Sequence, residues 1–154
     1  MNPLNRGELQ LKEILLVEDN LGDILLLMEA FRESGVKANL KVVGDGEEAM
    51  KYLHREGPYA ETRAPDFILL DLNLPRMDGR AFLRQMKGEE RLRSIPVIVL
   101  SSSRLESDVR ESYDMNASCY IPKPIDIHGF LRAVKSLNDF WMGHVQLPIQ
   151  AGNG

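Results

Sequence analysis

The chain has 154 residues, 44% of them hydrophobic and 27% charged, enough for one domain with a single well-buried core. A formal net charge of -4 argues against a broad nucleic-acid footprint, and the lone cysteine, Cys119, excludes a disulfide framework or a multi-thiolate metal centre. No signal peptide stands out, nor any run near the ~20 apolar residues of a membrane helix. The expectation is a cytoplasmic protein with no membrane partner and no direct nucleic-acid partner.

Residues 1–12 carry Pro, Asn, Gly and mixed charge, and read as a loose N-terminal arm. Glu13 to Val17 is the first predicted strand, and its apolar centre Ile14-Leu15-Leu16-Val17 is followed at once by Glu18 and Asp19. Asn20 is placed to cap a helix, with Asp23 at its third position near the free N-terminal amides. Ile24, Leu27, Met28 and Phe31 recur at helical spacing, and the helix stops near Gly35. Leu40 to Val43 is a short second strand. Asp45-Gly46-Glu47-Glu48 then resembles a capping box, ahead of a helix with Ala49, Met50 and Leu53 on its apolar side. From Gly57 to Pro65 the composition predicts a polar loop with two prolines.

Phe67-Ile68-Leu69-Leu70 has the continuous apolar character of a strand buried on both faces. It ends on Asp71, after which Pro75 and Gly79 force a turn. Phe82, Leu83 and Met86 mark a third helix closed by Gly88. Pro96 opens a fourth strand, Val97 to Leu100, which runs into Ser101-Ser102-Ser103. Leu105 to Tyr113 is the weakest predicted helix. Ser118 to Ile121 is a short fifth strand, in which Cys119 reads as a packed core thiol, and Pro122-Lys123-Pro124 ends it. Asp126 can cap a last helix with the stripe Ile127, Phe130, Leu131, Val134, Leu137 and Trp141, and a tail runs from Met142 to Gly154. Strand and helix alternate five times, which places helices on both faces of a five-stranded parallel α/β sheet. The expected boundaries are an arm over 1–12, a domain over 13–141 and a tail over 142–154.

In such sheets ligands sit outside the carboxyl ends of the strands. Glu18 and Asp19 follow the first strand, Asp71 the third, Ser101 the fourth and Lys123 the fifth. Clustered carboxylates repel one another unless a cation joins them, and Mg²⁺ takes hard oxygen ligands. A carboxylate beside such an ion can attack phosphorus, while an ammonium and a hydroxyl meet the phosphoryl charge. Each group alone has an ordinary reading: acids at a helix start, a loop hydroxyl, a solvated lysine. Their joint arrival at successive strand ends is hard to explain as packing.

Leu-Val-Glu18-Asp19-Asn, Leu-Leu-Asp71-Leu-Asn-Leu-Pro-Arg-Met-Asp-Gly79, Val-Leu-Ser101-Ser and Tyr120-Ile-Pro-Lys123-Pro124 together resemble the receiver domain of two-component response regulators. The resemblance covers residues 13 to 141 and implies the flavodoxin-like strand order 2-1-3-4-5. It implies that Asp71 accepts a phosphoryl group from a histidine kinase. Asp19 and Asp71 would bind Mg²⁺ through side chains, Asn73 through its backbone carbonyl, and Glu18 through water. Ser101 and Lys123 would hold the phosphate, Tyr120 would be the aromatic switch partnered with Ser101, and Pro124 would follow a cis bond. A narrower resemblance links Arg55-Glu56-Gly57-Pro58-Tyr59-Ala60, Asp139-Phe140-Trp141 and Val145-Gln146-Leu147-Pro148 to the small stand-alone regulators that partner bacterial phytochromes. It implies a homodimer in which a tail of Phe140, Trp141, Val145, Leu147 and Pro148 lies across the second subunit. Met142-Gly143-His144 departs from the more apolar residues of that group.

Three other readings compete. A Mg²⁺-dependent phosphohydrolase with an aspartyl-phosphate usually has a second acid two residues after its nucleophile, where this chain has Asn73. A flavodoxin-type cofactor module wants a Ser/Thr/Gly-rich phosphate loop where Glu18-Asp19 stand. A phosphohistidine carrier needs a histidine with acidic neighbours, and His54, His128 and His144 read as surface residues on separate segments. The length leaves no room for a further output domain, so the expected output is a phosphorylation-dependent protein interaction, and the chain is not expected to be an enzyme.

Overall fold

The computed structural model describes residues 12–35, 37–102, 110, 117–123 and 125–132. Strands β1 (Lys12–Val17), β2 (Ala38–Val43), β3 (Phe67–Asp71), β4 (Val97–Ser101) and β5 (Cys119–Pro122) form one parallel sheet in the order β2-β1-β3-β4-β5. Helices α1 (Leu21–Ser34), α2 (Gly46–Leu53) and α3 (Gly79–Lys87) and a helical segment at 127–132 flank it. In register, Val17 lies beside Leu70, Asp71 beside Leu100, and Ser101 beside Pro122. The strands therefore end on a common rim.

The continuous apolar runs of β3 and β4 have a simple cause: every residue of both is buried. Alternate side chains point to opposite faces of a strand, so each run feeds two cores. Leu15, Val17, Ile68, Leu70, Val97 and Val99 meet α2 and α3 through Met50, Leu53, Phe82 and Met86. Ile14, Leu16, Phe67, Leu69, Ile98 and Leu100 meet Leu27, Phe31 and Phe130 on the other face. There the Phe31 and Phe130 rings pack edge to face, 5.5 Å apart. Each fully buried Leu or Phe contributes roughly 1.5–3 kcal/mol, which is why the inner strands tolerate no polar interruption until the rim. The edge strands differ. β2 alternates between half-buried and exposed until Val43, and β5 is half-buried.

Several expectations shift. Lys12 belongs to β1 and not to an arm, its N–H donating to the Lys37 carbonyl at 3.0 Å, and β2 starts at Ala38, before Leu40. Cys119 lies half-buried on an edge strand and not in the core, although burial still pushes its thiol up. Met28 faces outward. The core face of α1 is Leu27, Ala30 and Phe31. The loop after α2 contains a 3₁₀ turn, Gly57–Tyr59, which sets the Tyr59 ring 5.3 Å from Tyr52. Only half of the α2 capping box forms: Asp45 accepts the Glu48 N–H at 2.8 Å, while the Glu48 carboxylate accepts the Tyr59 hydroxyl at 2.7 Å. His54 does have acidic neighbours, with Glu89 at 2.8 Å on one ring nitrogen and Glu56 at 3.4 Å on the other. Asp126 caps the last helical segment, accepting from the His128 N–H at 3.2 Å. The weak helix expected over Leu105 to Tyr113, Pro124, Val134, Leu137 and the tail residues Phe140, Trp141, Val145, Leu147 and Pro148 lie outside the described residues.

Candidate functional site

The rim is assembled from four strand ends. The β1 ladder continues past Val17 through the Glu18 N–H, which donates to the Val43 carbonyl at 3.0 Å. The chain then turns sharply around the Glu18 carboxylate, which accepts the N–H groups of Asp19 at 3.2 Å and Asn20 at 3.1 Å. Asn20 caps α1 by accepting the Asp23 N–H at 2.9 Å. Asp71 closes β3 and accepts the Asn73 N–H at 3.1 Å. Ser101 closes β4, fully buried, and its carbonyl accepts the Lys123 N–H at 2.8 Å.

The segment after Asp71 is held in place by close approach. A Cβ at Gly79 would lie 2.3 Å from the Asp71 carbonyl oxygen, a distance no side chain tolerates. Glycine lets its own N–H reach the Leu72 carbonyl at 2.9 Å. Farther along the loop, the Met77 carbonyl accepts the Gly46 N–H at 3.0 Å, and the Arg76 Nε donates to Asp45 at 3.0 Å. Arg76 reaches that position with φ +59°, a left-handed backbone unusual outside glycine.

Lys123 is the hub of the charges. Its Nζ lies 2.7 Å from Glu18, 2.8 Å from Asp23 and 3.3 Å from Asp71. Burial alone would lower the ammonium pKa, but the bonds to Asp23 and Glu18 and the charge of Asp71 outweigh it and push it up. Glu18, almost fully hidden, is pushed up to about 7, chiefly by burial and further by the Asp71 charge, with Lys123 pulling the other way. Glu18, Asp19 and Asp71 each bring one oxygen within 4.8 Å of the others. Lys123 thus faces three carboxylates, those of Glu18, Asp23 and Asp71, while Asp19 of the acidic cluster makes a fourth nearby. All-oxygen donors and excess negative charge suit a hard divalent cation, so the residues fit the metal that the sequence implied.

Glu18, Asp19, Asp71, Ser101 and Lys123 thus converge as expected. Tyr120 stands on β5 beside Val99, packed against the core that faces α2 and α3. Asp23 was missed as a site residue. Read as a helix-start acid, it instead aims at Lys123, and its spacing of one helical turn from Asp19 was the available signal.

A parallel 2-1-3-4-5 sheet whose rim carries three acids and a lysine is the architecture of a phosphorelay receiver. Residues 14–135 match the model of the response regulator receiver domain, and the chain belongs to that family. It is similar to the response regulator Rcp1 of Synechocystis sp., 39% identical over 137 residues, covering 89% of this chain and 93% of that one. A probable methanogenesis regulatory protein, FilR2 of Methanothrix harundinacea, is 38% identical, covering 88% and 86%. Among solved structures, the phosphorylated cyanobacterial phytochrome response regulator RcpA is 46% identical with a TM-score of 0.76, covering 87% of this chain and 96% of that one. The Mn²⁺-bound form of Rcp1 is 38% identical with a TM-score of 0.75, covering 86% and 96%. Among the described residues no helix is long and apolar enough to cross a membrane.

Proposed function

We propose that the chain takes a phosphoryl group from the phosphohistidine of a kinase onto Asp71 and relays the signal through a protein interface. The supporting observation is the Asp71 carboxylate at the end of the central strand, one oxygen 3.3 Å from Lys123 and the other fixed by the Asn73 N–H. An Asp71 oxygen attacks phosphorus, the new O–P bond replaces the N–P bond, and the imidazole departs with the electron pair. Lys123 and the Ser101 hydroxyl meet the charge on the phosphoryl oxygens. Glu18, Asp19, Asp71 and the Asn73 carbonyl would hold Mg²⁺, which when bound neutralises charge shared between acceptor and phosphoryl group. Water attack on the same phosphorus later restores Asp71, so the chain catalyses only its own phosphoryl transfer and dephosphorylation.

The kinase-facing surface has a candidate in α1. Leu21, Leu25 and Met28, spaced as one helical stripe, are about half exposed or more beside the rim. Large apolar side chains left open in that position suit a helical partner that delivers its histidine to Asp71. The names of RcpA and of a bacteriophytochrome response regulator, RtBRR, 42% identical, support a phytochrome-type kinase. Residues 13–141 form the receiver, with Ser101 and Tyr120 as its coupled switch. The apolar tail of Phe140, Trp141, Val145, Leu147 and Pro148 joins two copies into a homodimer.

Incubation with acetyl phosphate and Mg²⁺ tests the acceptor. Wild type gains one phosphoryl mass, Asp71→Asn gains none, and EDTA abolishes the gain. A full phosphoryl mass on Asp71→Asn refutes the assignment. For the dimer, truncation after Asn138 yields a monomer by light scattering. A full chain that is monomeric with and without phosphorylation removes the tail from the interface.

A further inference from the structure

Resting on Asp71 as the acceptor, one contact at the site has no assigned role: the Asp23 carboxylate, 2.8 Å from the Lys123 ammonium. Asp23 does not line the acidic cluster of Glu18, Asp19 and Asp71. It belongs to the first turn of α1, which also carries Leu21, the most exposed of the large apolar side chains among the described residues. A continuous set of bonds joins the two: Lys123 to Asp23, the Asp23 N–H to the Asn20 cap, and the Asn20 N–H to Glu18, itself bonded to Lys123. The lysine closes a ring around the start of the helix.

We propose that Asp23 is a positioning residue that shares Lys123 with the acidic rim and yields it to the phosphoryl group, so that the charge on Asp71 sets the order of the first turn of α1. The reasoning is electrostatic. A single ammonium divides itself among Glu18, Asp23 and Asp71, and its bond to Asp71 is the longest of the three. Phosphorylation replaces the single negative charge of the Asp71 carboxylate with a group that carries up to two charges and three strong acceptor oxygens. Lys123 moves toward the greater charge, and Asp23, a quarter exposed, is the partner that water can most readily compensate. The helix loses its outside tether at the turn that bears Leu21. A kinase docked on that turn would lose its surface once its phosphoryl group had been delivered.

Amide exchange by mass spectrometry tests this in the full-length chain, with and without acetyl phosphate and Mg²⁺, intact mass reporting phosphoryl occupancy. In wild type, exchange over residues 21–25 rises about threefold or more on phosphorylation. Asp23→Asn exchanges fast without phosphorylation and rises no further, while Asp23→Glu restores the response. Asp23→Asn also reaches half occupancy at about fivefold lower acetyl phosphate, because a competitor for Lys123 is gone, a gain that mere structural damage would not give. Full phosphoryl occupancy of wild type with unchanged exchange at 21–25 overturns the proposal alone. So does an Asp23→Asn protein that responds as wild type does. Absence of any phosphoryl mass on wild type overturns the acceptor reading beneath it.

Discussion

Helices α1 and α2 start alike: Asn20 accepts the Asp23 N–H at 2.9 Å, and Asp45 accepts the Glu48 N–H at 2.8 Å. Both have an acid at the third position and a glycine in the first turn, and from there they part. The Asp23 carboxylate goes to Lys123 in the site, whereas that of Glu48 goes to the Tyr59 hydroxyl. Asn20 is neutral and holds only its own helix, while Asp45 also receives Arg76 and so pins the loop that follows Asp71. Gly22 faces nothing closer than the flexible end of Asn20, but Gly46 has the Met77 backbone directly against it. A cap occupies one acceptor. What the remaining charges do depends on where the strand before the helix lies, next to the central strand for β1 and at the sheet edge for β2.

The largest break in this pairing is Gly46→Ala. Its Cβ would stand 2.4 Å from the Met77 carbonyl oxygen, so the loop must move. A loss of about 3 kcal/mol in urea unfolding is expected, with weaker divalent-metal binding by titration. Second is the pH dependence set by Glu18, whose carboxyl is raised from 4.5 to about 7 in the fold. The folded state then binds the proton more tightly than the unfolded one, so this contribution is full below about pH 4.5 and lost as pH rises through about 7. Without metal, Glu18→Gln should flatten a fall on the order of 2 kcal/mol across that window. In wild type, metal affinity should rise with pH over the same range, because binding needs the ionised carboxylate.

Third come the caps themselves. Asp45→Ala is expected to cost about 1.5 kcal/mol and Asn20→Ala about 1 kcal/mol in the same unfolding measurement. The excess at Asp45 comes from its burial, since Arg76 is mostly exposed and adds little. Equal losses would mean that the burial of Asp45 adds nothing to its cap. The smallest change is Gly22→Ala. Helix propensity favours alanine, but the new Cβ sits 3.3 Å from the Asn20 cap oxygen. The two effects oppose each other, and a net change within about 0.5 kcal/mol is expected; a larger loss would show the cap to be rigid.

The strands and the rim were legible because one physical demand governs each. Phe67 to Leu70 and Val97 to Leu100 must be apolar on both faces, and the first polar residue after each run marks where the sheet ends. Helix α1 was less legible because apolar residues cover more of it than the core needs. Leu21, Leu25 and Met28 form a second stripe, so periodicity found Leu27 and Phe31 but set Met28 with them on the inner face and passed over Ala30. Asp23 was ambiguous for a different reason. A helix-start acid and a lysine partner look the same in sequence when the lysine is a hundred residues away. His54 hid for that reason too, since Glu89 comes to it only through packing between α2 and the turn after α3.

Glu18 and Lys123 touch at 2.7 Å although 105 residues separate them. Asp71 and Ser101 come from strands between them, so no shorter stretch of the chain holds both the acids and the ammonium. A nascent chain that has released only β1 to β4 from the ribosome therefore presents Glu18 and Asp71 without the ammonium that bonds both in the fold. The charge balance of the rim arrives late in synthesis, with Lys123 directly after β5. On the proposed assignment of Asp71 as the acceptor, copies that lack Lys123 should take up the phosphoryl group poorly.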